Sequence, residues 1–183
     1  MKATDELKYE HRVIEVVLTG LEEVVRDSET AGKVDREQAD KALEILRNFA
    51  DKCHHSKEEK YLFKTLEKRG VAREQGPIGV MLMEHDHGRG HIRAMVEALP
   101  GAAAGEGTEL KAFQQNARAY IELLRQHIQK EDTVLFAMAD QVCSPEDDEQ
   151  LTAAFESIER DEMGEGTHEK YHQWAHELTG QEV

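Results

Sequence analysis

The sequence predicts an all-α protein: an up-down-up-down four-helix bundle with an additional C-terminal helical extension. Three observations carry that prediction. Charged residues fill 33% of the 183 positions, aromatics only 5%, and there are three Pro; a mix rich in Ala, Glu, Leu and Lys favours helices over sheets. Apolar residues recur at three- and four-residue steps through four long segments, as in amphipathic helices. The connections between those segments are short, which sets successive helices antiparallel. This length suffices for one domain with a real core, with or without a small appendage. The expected division is residues 1–143 for the bundle and 144–183 for an extension packed on it.

The first helix is expected from about Thr4 to Ser28, with Val13, Val16, Val17, Leu21 and Val24 as its inward stripe. Asp35, followed three positions later by Gln38, marks the N-cap of a second helix. That helix runs to Lys68 or Arg69, where Gly70 is a natural stop. Pro77 suits the first turn of a third helix ending near Leu99, before Pro100-Gly101. Residues 101–107 read as a small, flexible connection, and a fourth helix runs from about Thr108 to Val142. Ser144-Pro145 opens a fifth helix reaching about Met163; Gly164 and Gly166 break it, and Thr167 can cap a short sixth.

The formal charge of −15 repels phosphate backbones and anionic lipid, so nucleic acid and membrane surfaces are poor partners. No apolar run approaches the roughly 20 residues of a membrane span, and the N-terminus does not read as a signal peptide. Cys53 and Cys143 are too few for a disulfide framework. A cytoplasmic setting is the expectation. No Ser-His-Asp arrangement, phosphate-binding Gly loop or Cys-x-x-Cys pair offers another chemistry.

One pattern occurs twice. Residues 54–63 read HHSKEEKYLF and residues 127–136 read HIQKEDTVLF. Each carries His, then Glu four residues on, then a second acid, then Leu-Phe. Each is preceded by a Glu-His pair: Glu10-His11 before the first copy and Glu84-His85 before the second. Two helical hairpins facing each other across an approximate two-fold axis would produce this echo. Residues four apart on a helix share a face, so His54 with Glu58, and His127 with Glu131, each aim a nitrogen and a carboxylate in one direction. A carboxylate can bridge two metals while imidazoles bind one each, and inward Glu/His pairs on facing helices are a known bundle route to di-iron sites. Counted at about 1.5 Å per residue, His11 and His54 lie at similar heights, while His85 and His127 differ by roughly 7 Å. A shift of the helix ends closes that gap and brings all six groups into one layer. A single His-x-x-x-Glu is ordinarily a solvated pair. Two copies in register beside buried stripes (Phe49, Leu62 and Phe63; Leu124, Leu135 and Phe136) need partners or a metal.

The segments EHRVIEVVL, CHHSKEEKYLF, EHDHGRGHIRAM and HIQKEDTVLFAMAD resemble successive motifs of the hemerythrin-like (HHE cation-binding) family, over roughly residues 5–140. The resemblance implies a non-heme centre of two iron ions, oxo- or hydroxo-bridged, with His11, His54, Glu58, His85, His127 and Glu131 as metal ligands. It implies a small partner such as O₂, NO or peroxide. Three roles stay open: binding or sensing; an enzyme that turns over peroxide or NO or repairs iron centres; and iron storage or handling.

The third helix also offers His87 with His91, and the fourth His127 with Asp132, as in the oxygen carriers. His85 and His87 cannot both face inward, and His85 is preferred because it follows Glu84 as His11 follows Glu10; His87 or His91 could enter only through an irregular turn at Gly88 and Gly90. His55 and Glu59, rotated about 100° from His54 and Glu58, read as flanking groups, and Asp132 as an acceptor behind a ligand. Tyr120 reads as a core aromatic, Cys53 as an inert buried thiol, and His168, His172 and His176 as a polar helix face.

Overall fold

The structure, a computed structural model, describes residues 1–163 together with 170, 171, 173–175 and 177. The tail ladder of His168, His172 and His176, and the breaks at Gly164, Gly166 and Thr167, lie outside the described residues. Helix α1 spans Lys2–Ala31. Helix α2 covers residues 36–68: a regular part, Arg36–Ile45, then π-helical turns at Leu46–His55 and Glu58–Leu62, then Phe63–Lys68. Helix α3 is Pro77–Ala104. Helix α4 covers residues 107–142: Gly107–Lys130, a π-helical turn at Glu131–Leu135, and Phe136–Val142. Helix α5 is Pro145–Ile158, continued by a π-helical turn, Glu159–Met163. Among the described residues there is no strand.

Each long helix packs against two others, α1 on α2 and α4, and α3 on α2 and α4, which closes a four-helix ring. Local signals set the ends. The Asp35 carboxylate accepts from the Gln38 amide at 3.2 Å, and Pro77 occupies the first turn of α3. Ser144 and Asp147 form a reciprocal capping box at the start of α5, satisfying amides that an open helix end would leave bare.

The turn between α3 and α4 is tighter than the composition of residues 101–107 suggests. Helix α3 continues past Pro100 to Ala104, with the proline inside the helix. A proline removes one amide and crowds the preceding turn, a cost that is tolerable in a last turn already tied down from outside. Ala102 accepts from the Val34 amide at 3.0 Å, and Gly105 takes a left-handed conformation, φ 80°, to end the helix. The expected flexible connection is therefore mostly helix.

Two apolar clusters fill the bundle. One gathers Val13 to Ala50 of α1 and α2 with Ile92 to Ile128 of α3 and α4. The other gathers Ala3 and Leu7, Leu62 to Leu66, Ile78 and Met81, and Leu135 to Ala139. Helix α5 lies on α1 and α2 and contributes Leu151 and Phe155 to this second cluster, so it is part of the core. Between the clusters sits a layer of buried polar side chains: Glu10, His11, His54, His55, Lys57, Glu58, His85, His127 and Glu131.

Candidate metal centre

The doubled motif folds as two matched turns. In each copy the helix widens at the Glu that follows the His: the Phe63 amide bonds to the Glu58 carbonyl, and the Phe136 amide to the Glu131 carbonyl. A bond five residues back is the mark of a π turn, a local irregularity common at functional sites. Each widened turn also delivers its Phe against a histidine of the other hairpin. Phe63 stacks on His85 at 6.0 Å and Phe136 on His11 at 5.4 Å between ring centroids.

All six sequence-proposed residues come together in the buried layer. His54 Nε2 lies 3.6 Å from Glu58 Oε1, and His85 Nε2 lies 3.5 Å from Glu58 Oε2. Glu131 Oε2 lies 3.3 Å from His11 Nε2 and 3.1 Å from His127 Nε2. Both carboxylates thus stand between one pair of histidines and the other. Two groups of donor atoms result, each mutually within 4.8 Å: His11, His54, Glu58 and Glu131; and His55, Glu58, His85 and His127. Glu58 belongs to both.

His55, a flanking group by its position on a regular helix, belongs to the second group of donors. It is buried, and its ring stacks on His85 at 3.8 Å. The 100° step that placed it on a flank assumes regular α-helix, whereas residues 46–55 are wound as π-helix. A signal was present in the other copy. Ile128, which occupies the equivalent position, is an apolar residue in the core, so this position faces inward in both hairpins. His87, by contrast, is exposed, and His91 Nδ1 pairs with Asn116 Oδ1 at 3.0 Å. Helix α3 is unbroken at Gly88 and Gly90, and neither histidine joins the centre.

The outer nitrogens of the rings are held by acids. His54 Nδ1 donates to Glu10 at 2.8 Å and His127 Nδ1 to Glu84 at 2.9 Å. His11 Nδ1 donates to Asp132 and His85 Nδ1 to Glu59, both at 2.7 Å. Within each hairpin the early Glu serves the later His, and the acid beside each shared Glu serves a histidine of the opposite hairpin. An ionised carboxylate only accepts, so each Nδ1 carries a proton and each Nε2 faces inward, the arrangement that orients metal-binding imidazoles. A cation backs each acid: Lys57 behind Glu10, Lys130 behind Glu84, Arg12 behind Asp132, and Arg89 behind Glu59. The two hairpins differ in one respect. Lys57 is wholly buried, and its ammonium also reaches Glu6 and Glu159, whereas Lys130 is 40% exposed.

Inside this frame, six buried atoms lack a hydrogen-bond partner: Nε2 of His11 and His54, and both oxygens of Glu58 and of Glu131. Unsatisfied carboxylate oxygens in a dry interior are costly unless a cation faces them. Protonation echoes the demand for positive charge. Burial, with Glu131 close by, pushes the Glu58 carboxyl well above its usual range. Burial opposes the charged form of His127, yet Glu131 and Glu84 raise it to about 9. Burial holds His54, His55 and His85 down at about 4, which keeps them neutral and able to ligate. These residues therefore fit a bound metal.

Comparison with known proteins agrees with this geometry. Residues 2–139 match the family model described as the hemerythrin HHE cation binding domain. The chain belongs to this family. Relatives include uncharacterised proteins of Mycobacterium tuberculosis and Mycobacterium bovis, each 27% identical over 163 residues, which cover 89% of this chain and 63% of theirs. The chain thus spans somewhat under two thirds of the curated relatives it matches. No solved structure matches the sequence. Among the described residues no helix is long and apolar enough to cross a membrane.

Proposed function

We propose that the centre of this HHE domain holds two iron ions and that the protein binds or senses O₂, NO or a reactive oxygen or nitrogen species there. The sharing of Glu58 between two groups of donors is the observation that carries this reading. Nitrogen and oxygen donors of mixed hardness suit iron, with manganese and zinc as competitors. Two bound irons would supply one-electron redox chemistry and open coordination positions. His11 and His54 would hold one ion, His85 and His127 with His55 the other, and Glu58 and Glu131 both. Glu10, Glu59, Glu84 and Asp132 keep the ring protons on Nδ1, and the two apolar clusters exclude water above and below.

A second reading, turnover of peroxide or NO, or repair of iron centres, is favoured by one feature. Glu59 and Asp132, bonded to His85 and His11, are 27% and 21% exposed, which suits them to pass a proton between the layer and solvent. Exchangeable iron storage is disfavoured, because no donor of the centre is more than 5% exposed. Metal analysis and the absorption spectrum of protein made in iron-rich medium test the first reading. Two irons per chain and a spectral change on mixing the reduced protein with O₂ or NO are expected; mononuclear zinc would overturn it. Catalytic consumption of peroxide or NO, lost in Glu58→Ala, would move the assignment to the enzyme.

A further inference from the structure

The two halves of the centre differ in how a solute could reach them. On the His11 and His54 side, Lys57 is fully buried under α5, held by Glu159 and lying 5.6 Å from the ring of Phe155. On the other side, a cavity of about 230 Å³ opens between α2, α3 and α4, with His55 in its wall beside Glu84, the acid that holds His127. Leu46, Ile92, Leu124 and Tyr120 form its apolar lining. Gly88 keeps it narrow but open: a Cβ there would stand 3.3 Å from the Tyr120 ring, and any larger side chain would fill the space.

The charge around the cavity runs against that of the molecule. Arg47, Lys52 and Arg93 line it, are exposed, and make no ion pair among the described residues. Its two carboxylates each face a cation: Asp51 lies 2.7 Å from Arg89, which also serves Glu59 and Asp86, and Glu84 pairs with Lys130. In a chain of net charge −15, this leaves a locally positive mouth over an apolar throat that ends on a histidine of the centre. A cleft lined by one sign of charge with low-dielectric walls concentrates ions of the opposite sign and raises their association rates.

We propose that this cavity is the access pocket of the centre, that the solute it selects is a small inorganic anion such as a nitrogen-oxide anion, and that His55 is the side chain this anion meets first. The proposal rests on the di-iron reading above for what happens at the centre, but not for the pocket itself. Tyr120 and Leu124 exclude larger organic anions by width, and Arg47 and Arg93 distinguish a charged solute from a neutral one of the same size.

Azide is the probe, in two arms. In the iron-loaded protein, stopped-flow mixing should show azide association falling about tenfold in the double variant Arg47→Glu/Arg93→Glu at low salt, with most of its salt dependence lost. Uncharged NO should bind that variant at the unaltered rate. In metal-free protein, azide titration followed by amide NMR should shift signals around Arg47, Gly88 and Arg93, and the double variant should lose those shifts. Equal azide rates, parallel losses for azide and NO, or no shifts in the metal-free protein would each overturn the proposal. If the metal-free titration maps azide to this pocket while the purified protein holds no iron, the pocket stands and the di-iron reading falls.

Discussion

Replacing Lys57 by Met tests how α5 is tied to the centre. The ammonium is fully buried and lies 2.7 Å from Glu6, 2.6 Å from Glu10 and 2.6 Å from Glu159. Burial opposes its charge, but Glu10 and its other neighbours more than offset that and hold the group well above the usual lysine range. Methionine conserves the packing and removes only the charge. Removing one partner of a buried ion pair costs about 3–5 kcal/mol. Glu6 and Glu159 are 29% and 33% exposed and can regain water, and Glu10 loses its cation but keeps the bond from His54, so the loss falls at the low end, about 3 kcal/mol. Urea unfolding of the metal-free protein measures it; with a slope of about 2 kcal/mol/M the midpoint drops by about 1.5 M. Hydrogen exchange in residues 145–163 should accelerate, and Lys57→Met should couple to Glu159→Gln by more than about 0.5 kcal/mol. A midpoint shift below about 0.4 M, or strict additivity with Glu159→Gln, would refute the reasoning.

Three more outcomes follow from the same layer and its caps. In the metal-free protein, burial keeps His54, His55 and His85 at about 4, so between pH 6.5 and 4 the unfolded chain binds more protons and stability falls as pH drops. The slope has a ceiling of about 1.4 kcal/mol per unit for each histidine. His127, raised to about 9, contributes in the opposite sense, present below pH 6.5 and lost through 9. Melting temperatures should therefore peak near neutrality, and a flat profile from pH 4 to 6.5 would count against neutral buried histidines. Glu58→Leu removes two unpartnered buried oxygens, so the metal-free protein should gain about 1–2 kcal/mol while iron no longer raises its melting temperature. A less stable metal-free variant would mean that Glu58 has partners without metal. Ser144→Ala removes the acceptor for the Asp147 amide and should cost about 1 kcal/mol in urea unfolding; no loss would show that the capping box does not hold α5.

The four-helix architecture and its helix starts were legible because their causes are local. Periodicity at α1, the Asp35 and Ser144 caps and Pro77 each act within a turn or two of the chain. The paired His54-Glu58 and His127-Glu131 were legible for the same reason, since a four-residue spacing shares a face even where the helix widens. The end of α3 is not legible in the sequence, because Pro100 ordinarily stops a helix and the contact from Val34 that secures Ala102 arrives from far along the chain. The acid partners were only half visible. The sequence displays Glu10 and Glu84 beside His11 and His85, but not that each serves the other histidine of its hairpin.

The sequence by itself determined the helical class, the two-fold repetition and six of the side chains that converge in the polar layer, because each depends on spacing along one helix. Tertiary structure decided the rest. Winding residues 46–55 as π-helix turned His55 into the second group of donors, and no residue-by-residue angle of regular helix contains that turn. Docking of α5 buried Lys57 and left its counterpart Lys130 near the surface, so two halves that share one sequence pattern became one sealed side and one open side. Burial and partner choice across helices are properties of the assembled bundle, and they set which way this centre faces.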